Sequence, residues 1–369
     1  MQIQNKNILY IGPYRQNDGW GLAAKDYIKA LSLISNVHCQ PLYLSANIDS
    51  EIENSIAILE NNRRSSYDIV IQHCLPMNMT KTHLYNIGLL FVENHHFFSD
   101  SVHNLNMMDE VWVSSEQEKR SLESGGVKTK IFVIGHPIDT HQLLNQHHNK
   151  CFDRLLDDHY KFYFIGEYIQ RKNINAIIAA FNNEFDLTDK VKLIIKTNIP
   201  GIQANQAKHT ITQQISSIKK SLRVQNKFHE EIIITSRLTE PELLALHNNC
   251  DCFVITSYGE AFCRPAAEAV CCGNFLISSN NIGVLDYINE NDKSIVECIE
   301  ETVLLNNPEE MGSLDIYNGK ETWSIPSMHS LSKSMRHAYE NRSKIADKDK
   351  YIQTFSYRNI SDNICHRYQ

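Results

Sequence analysis

Ser257-Tyr258-Gly259-Glu260-Ala261-Phe262-Cys263-Arg264-Pro265-Ala266-Ala267-Glu268-Ala269-Val270-Cys271-Cys272-Gly273 decides how this chain is read. It follows Cys252-Phe253-Val254-Ile255, an unbroken apolar run of the kind expected in a strand buried on both faces of a parallel sheet. Pro265 opens a helical stretch in its first turn, where a missing N–H is no loss, and Gly273 closes it. The apolar run Phe275-Leu276-Ile277 and then Asn280-Asn281-Ile282-Gly283 come next. Glu260 is thus predicted at the carboxyl end of a strand, and Glu268 on the helix behind it. In open α/β sheets that edge is where ligands bind. Two acceptor carboxylates beside a helix amino terminus suit a polyhydroxylated ligand that carries phosphate.

Outward from this stretch, short apolar runs alternate with amphipathic helical ones along the chain, the pattern of a parallel α/β fold. In the first half the runs predict strands near Ile8–Ile11, Cys39–Leu44, Ile69–His73, Gly88–Val92, Val111–Ser114 and Ile131–Ile134. In the second half they predict strands near Phe162–Gly166, Lys192–Ile195, Ile232–Thr235, Phe253–Thr256 and Phe275–Ser278. Ile174, Ile177, Ile178 and Phe181 recur at helical spacing. Ser115 with Glu118, and Thr239 with Glu242, read as capping boxes. At 369 residues the chain exceeds the size at which one core keeps growing, so two domains are expected. The polar stretch from His141 to about Asp158, with His147 and His148 inside it, reads as the linker. The last forty residues read as polar helices.

The Glu-x7-Glu stretch resembles the donor-binding signature of the retaining, nucleotide-sugar-dependent glycosyltransferases of family 4, the group 1 glycosyl transferases. The resemblance implies the GT-B fold: two Rossmann-like domains with parallel sheets facing across a cleft. It places an N-terminal acceptor domain at 1–150, a C-terminal donor domain at 151–345, and a terminal helix at 346–369 crossing back to the first. It gives Glu260, with Ala261, Phe262 and Cys263, to the transferred sugar, and Glu268 to the ribose of the nucleotide. The family usually has glycines where this chain has Ala261 and Cys263, and an apolar residue at Arg264.

Three further stretches carry the resemblance. Asn17-Asp18-Gly19-Trp20-Gly21-Leu22-Ala23 follows the first strand, where the family has a glycine-rich loop facing the donor phosphates. Glycines at Gly19 and Gly21 allow close backbone approach, and the helix start favours an anion. Gly88-Leu89-Leu90-Phe91-Val92-Glu93-Asn94-His95-His96 ends at the cleft in the family, so His95 is the candidate histidine there, with His73 as the alternative. Asp109, Trp112 and Asp139, further along, read as turn and core residues. Phe164-Ile165-Gly166-Glu167-Tyr168-Ile169-Gln170-Arg171-Lys172-Asn173 matches the diphosphate-binding loop. Lys172 stands at the family's lysine, but its arginine position holds Glu167, which repels a diphosphate. Arg171 or Arg264 can supply the missing charge, since a guanidinium binds phosphate oxygens in pairs.

Composition sets outer limits. A formal charge of −7 argues against nucleic acid as the main partner. Ten cysteines include no CxxC pair, the chain opens without a signal-peptide pattern, and no apolar run is long enough for a bilayer. A cytoplasmic protein with free thiols is expected. His247, Cys250 and Cys252 alternate into a strand and read as core, not as a metal site. The Asp-x-Asp at Asp347-Lys348-Asp349 reads as a solvated helix face. No metal and no cofactor are therefore expected. The function that the resemblance implies is transfer of a hexose from a UDP- or GDP-sugar to a hydroxyl acceptor: a glycan, a lipid-linked sugar or a small molecule. Peripheral membrane contact stays open. The alternatives are a GT-B protein that binds sugar nucleotides without transfer, and a GT-B sugar-nucleotide epimerase or phosphorylase.

Overall fold

The computed structural model describes residues 2–45, 48, 52–144, 152, 157–222, 227–299 and 321–367, with residue 51. His147 and His148, with most of the stretch read as a linker, lie outside the described residues. The described residues form two compact units. The first takes the chain up to Thr140, Glu321, and the stretch from Ile352 onward. The second takes the chain from His141 to Ile299 and Thr322–Tyr351.

The first unit is built on six parallel strands: β1 Asn7–Gly12, β2 Asn36–Pro41, β3 Ile69–His73, β4 Tyr85–Leu89, β5 Glu110–Val113 and β6 Ile131–Val133. Their order is β2-β1-β3-β4-β5-β6. The second repeats the plan with β7 Tyr160–Ile165, β8 Val191–Lys196, β9 Ile232–Ile234, β10 Cys252–Ile255, β11 Phe275–Ser279 and β12 Lys293–Val296, in the order β12-β11-β10-β7-β8-β9. A short antiparallel pair joins β13 Cys298–Ile299 to β14 Ile325–Pro326. The helices are α1 Gly19–Ser32, α2 Asn54–Asn61, α3 Val102–Asn106, α4 Glu116–Ser124, α5 Thr140–Leu143, α6 Ile174–Glu184, α7 Ala204–Ser221, α8 Glu240–Asn249, α9 Arg264–Cys271, α10 Met328–Glu340, α11 Asp349–Phe355 and α12 Tyr357–His366.

Each sheet is wound in two directions from its middle, so each has a switch point where the loops diverge. In the first unit it lies between β1 and β3, and in the second between β7 and β10. The central strands are buried, as their apolar runs require: β3, β5, β10 and β11 are covered at every residue. Ile174, Ile177, Ile178 and Phe181 of α6 enter the second core with Phe162 and Phe164. In the first unit Ile360 and Ile364 of α12 enter the core beside Ile8, Tyr10 and Ile134.

Three strands differ from the sequence reading, the first of them β2, which runs Asn36–Pro41 and not Cys39–Leu44, its pairing with β1 ending at Pro41. The run Leu89-Leu90-Phe91-Val92 looks like strand interior, yet β4 pairs only through Leu89, opposite His73. Beyond it the Val92 N–H donates to Glu118 on α4 instead of to a neighbouring strand. The sixth strand of the second sheet, β12, was not expected: Lys293-Ser294-Ile295-Val296 is an edge strand, too polar and short to stand out.

Candidate active site

The loops after β7 and β10 leave the second sheet at its switch point, and hydrogen bonds lace them together. Asn173 takes the left-handed conformation, φ 52°, that asparagine tolerates, and α6 starts there. Its side-chain amide donates to the Thr256 carbonyl at 3.1 Å, and the Tyr258 N–H donates to the Arg171 carbonyl at 2.9 Å. This lacing brings three charges to one point. The Lys172 ammonium lies 2.5 Å from Glu260 Oε2, and the Arg171 guanidinium lies 3.2 Å from the same oxygen. Ser257 Oγ is 3.3 Å away. Burial pushes the Glu260 carboxyl up, but Lys172 and Arg171 together outweigh it and hold it below the usual carboxylate range.

Arg171 is buried, and its guanidinium also donates to the Gly259 carbonyl at 2.9 Å. It therefore holds the Glu260 loop in place, whereas Lys172 keeps more exposure, 15% of its side chain against 6%. Glu167, at the family's arginine position, is exposed. Arg264 is committed to Glu268, with Nε 2.7 Å from Oε1 one helical turn away. Burial pushes the Glu268 carboxyl up, but Arg264 and then His247 outweigh it and hold it at about 2. The side chains of Ala261, Phe262 and Cys263 are buried, and Phe262 packs on Tyr287. What this segment can offer a ligand is therefore backbone. Cys263 sits at φ 59°, left-handed, at the amino end of α9.

The first unit's switch point carries the glycine loop and His73. Asp18 caps α1 by accepting from the Gly21 N–H at 2.9 Å. A β-carbon on Gly21 would fall 2.0 Å from the Gln16 carbonyl oxygen, whereas one on Gly19 would meet nothing within 4 Å. Gly21 thus serves the loop's own closure, and Gly19 is the glycine left open for approach. His73, at the end of β3, is fully buried, with Nδ1 2.6 Å from the Tyr10 hydroxyl. Trp20 and Phe91 flank its ring. Its Nε2 has no hydrogen-bond partner among the described residues. Burial, helped by His136, pushes this imidazole down to about 3, so it is neutral. His95 is half-buried in the loop beyond β4, with Nδ1 3.5 Å from the Gln117 amide.

Among the described residues no cluster of three or more His, Cys, Asp or Glu could hold a metal ion. Asp347 and Asp349 are exposed, Asp349 at the start of α11 and Asp347 in the coil before it, so the pair does not lie on one helix face as read. His247, Cys250 and Cys252 are buried, as read from the sequence. Asp109 accepts from Lys81 and the Asn86 N–H, and Trp112 is core.

Residues 149–302 match the family of glycosyl transferases group 1, a stretch that lies in the second unit. A stretch of 110 residues is 29% identical to the serotype-specific mannosyltransferase WbdA of Escherichia coli. That match takes in 30% of this chain and 12% of the relative's length. Among solved structures, the N-terminal domain of Candida albicans trehalose-6-phosphate phosphatase superposes with a TM-score of 0.66 at 12% identity, over 100% of this chain and 98% of the other. Anabaena HepE in complex with UDP-glucose gives 0.57 at 13%, over 99% and 96%. Sucrose-phosphate synthase of Thermosynechococcus elongatus gives 0.59 at 14%, over 98% and 94%. At such identities the likeness is one of fold, and the fold is GT-B: two Rossmann-like α/β units, each on a parallel sheet.

Proposed function

We propose that this chain is a retaining, metal-independent glycosyltransferase that moves a hexose from a UDP- or GDP-sugar to a hydroxyl acceptor. The observation that carries the reading is the pairing of buried Glu260 with part-buried Lys172 at the switch point of the sheet that matches group 1 glycosyl transferases. The mannosyltransferase relative and the UDP-glucose complex of a fold neighbour support a hexosyl donor.

In this mechanism the diphosphate competes with Glu260 for the Lys172 ammonium. Glu260 turns to the sugar hydroxyls and stays ionised, because Arg171 keeps its hold on the same oxygen. The acceptor oxygen bonds to the anomeric carbon as the bond to the diphosphate breaks, and the departing phosphate oxygen takes the acceptor's proton. Lys172 and helix amino termini stabilise the leaving charge as it develops, without a metal. Glu268 accepts from the ribose; in the first unit Gly19 stands open to an approaching ligand, and the half-buried His95, not the sealed His73, is the histidine within a ligand's reach. A cytoplasmic site suits the nine described cysteines, none of which is in a disulfide.

One observation favours a second reading, a sugar-nucleotide binder without transfer. Glu167 stands where the family has an arginine, and Arg171 and Arg264 are both committed to carboxylates. A thermal-shift panel of nucleoside diphosphates and sugar nucleotides with EDTA, followed by NMR of the products, tests both. A ligand at a hundredfold excess over its Kd adds about 2.7 kcal/mol. A shift plus an α-linked product from an α-linked donor supports the transferase. A shift with no transfer to any acceptor supports the binder, and no shift at all counts against both.

A further inference from the structure

Behind Glu268 runs a chain of hydrogen bonds whose direction can be read off from its outer end. The Lys344 ammonium, which can only donate, lies 3.1 Å from Asn274 Oδ1. That fixes which end of the Asn274 amide is oxygen. Its Nδ2 donates to the Tyr163 hydroxyl oxygen at 2.8 Å and to the His247 carbonyl at 2.7 Å. Burial pushes the Tyr163 hydroxyl well above its usual range, so it keeps its proton. Its oxygen already accepts from Asn274, and the proton goes to His247 Nδ1, 2.6 Å away. A ring nitrogen that accepts leaves the ring proton on the other, so His247 Nε2 is a donor.

That donor is 1% exposed and has no hydrogen-bond partner among the described residues. It faces Glu268 Oε2 at 3.6 Å, just beyond hydrogen-bond length. A buried unpaired N–H is a standing penalty, and Asn274, Tyr163 and His247 together aim it at one carboxylate. Arg264 holds the other oxygen, Oε1.

We propose that Lys344, Asn274, Tyr163 and His247 form a positioning relay for Glu268, in which His247 clamps Oε2 opposite Arg264 on Oε1 and turns the free lone pairs of the carboxylate toward a vicinal diol, the ribose of a nucleoside diphosphate. The inference rests on the donor-binding reading above. His247 touches no ligand atom; it sets the carboxylate that does. Each carboxylate oxygen has a second lone pair, so two hydroxyls can be accepted with both clamps in place.

The test is calorimetric titration, with EDTA, of UDP and GDP and of their 2′,3′-dideoxy counterparts into the full chain. Wild type is expected to bind the ribonucleotide on the order of tenfold more tightly than the dideoxy form. His247→Leu should close that gap by weakening the ribonucleotide alone. An unchanged Kd for the dideoxy form then shows that the fold and the phosphate contacts are intact. His247→Gln, whose amide nitrogen can stand where Nε2 stood, should keep most of the gap. Glu268→Gln should lose it. If His247→Leu keeps the gap while Glu268→Gln loses it, or weakens both nucleotides equally, the relay is only structural and the inference fails. A wild type that binds nucleotide without any gap overturns the ribose role of Glu268 and the relay with it. A wild type that binds none overturns the donor reading itself.

Discussion

Glu260 is worth more to the second unit than an exposed carboxylate could be, because two cations are built around it. Surface ion pairs contribute about 0–1 kcal/mol, whereas breaking a buried one by removing a partner costs about 3–5 kcal/mol. Arg171 and Glu260 each expose 6% of their side chains. Glu260→Gln is therefore predicted to destabilise the second unit by about 3 kcal/mol or more in urea titration. Lys172→Met should cost less, since Arg171 still pairs with Glu260 and the lysine is the more exposed partner. Arg171→Met should cost more than Lys172→Met, and the reverse ranking would show that Lys172, not Arg171, is the structural cation. This division of labour could not be read in the sequence. Glu260 and Glu268 were legible from their places beside a strand end and on a helix, and Lys172 from the family resemblance. The partner of Arg171 is a carbonyl 88 positions away, and only the pairing of β7 with β10 brings it near. His247 was read as core for the same reason: its burial shows in the local pattern, and its line to Glu268 does not.

Among the elements, the loop opening α1 makes the sharpest case. Two glycines two residues apart look equivalent in sequence, and the fold separates them. Gly21→Ala sets a β-carbon 2.0 Å from a backbone oxygen that no rotamer change can move. Gln16 is in turn tied down, its side-chain oxygen accepting from the Leu44 N–H at 2.8 Å. Gly21→Ala is predicted to unseat the first turn of α1 and cost more than 2 kcal/mol, with loss of any donor binding. Gly19→Ala meets open space and should fold normally, changing only ligand affinity. Equal melting temperatures for the two variants would refute this. At this scale the alternation of strands and helices was legible because period and caps are local. Where β4 stops was not, because the end of the strand is set by the competing acceptor Glu118 on α4.

For the molecule as a whole, acid should act on the two units in sequence. In the first, His73 is held at about 3 against an ordinary 6.5. The folded state binds fewer protons at His73 between those values, so that group's stability, on the order of 5 kcal/mol, is lost as pH falls from 6.5 toward 3. Glu118 in the same unit, raised by burial to about 7, offsets the loss down to pH 4.5, so the net loss falls below that. In the second, Glu268 is held at about 2 against 4.5. Its contribution is full above pH 4.5 and is lost as pH falls toward 2, on the order of 3 kcal/mol. The three tryptophans allow a direct reading, since Trp20 and Trp112 lie in the first unit and Trp323 in the second. Single-tryptophan variants should show the Trp112 signal changing at a higher pH than the Trp323 signal, and His73→Phe should narrow the interval. Coincident transitions would mean that other groups dominate.

The packing of α12 on α1 has a consequence for how the chain is made. Ile360 and Ile364 complete a core whose other members all precede Thr140, and Arg367 reaches the buried Glu110 at 2.8 Å. The two isoleucines are worth about 3–6 kcal/mol and the buried pair about 3–5 kcal/mol, comparable to the whole margin of a typical domain. On the ribosome, domains usually close in the order they emerge. Here the residues before Thr140 must wait, their apolar face uncovered, until the second unit has been synthesised and α12 comes out. A chain halted after Tyr351 should hold a protease-resistant second unit joined to a first one that is digested, and this early-born, late-finished half is where a chaperone would be needed.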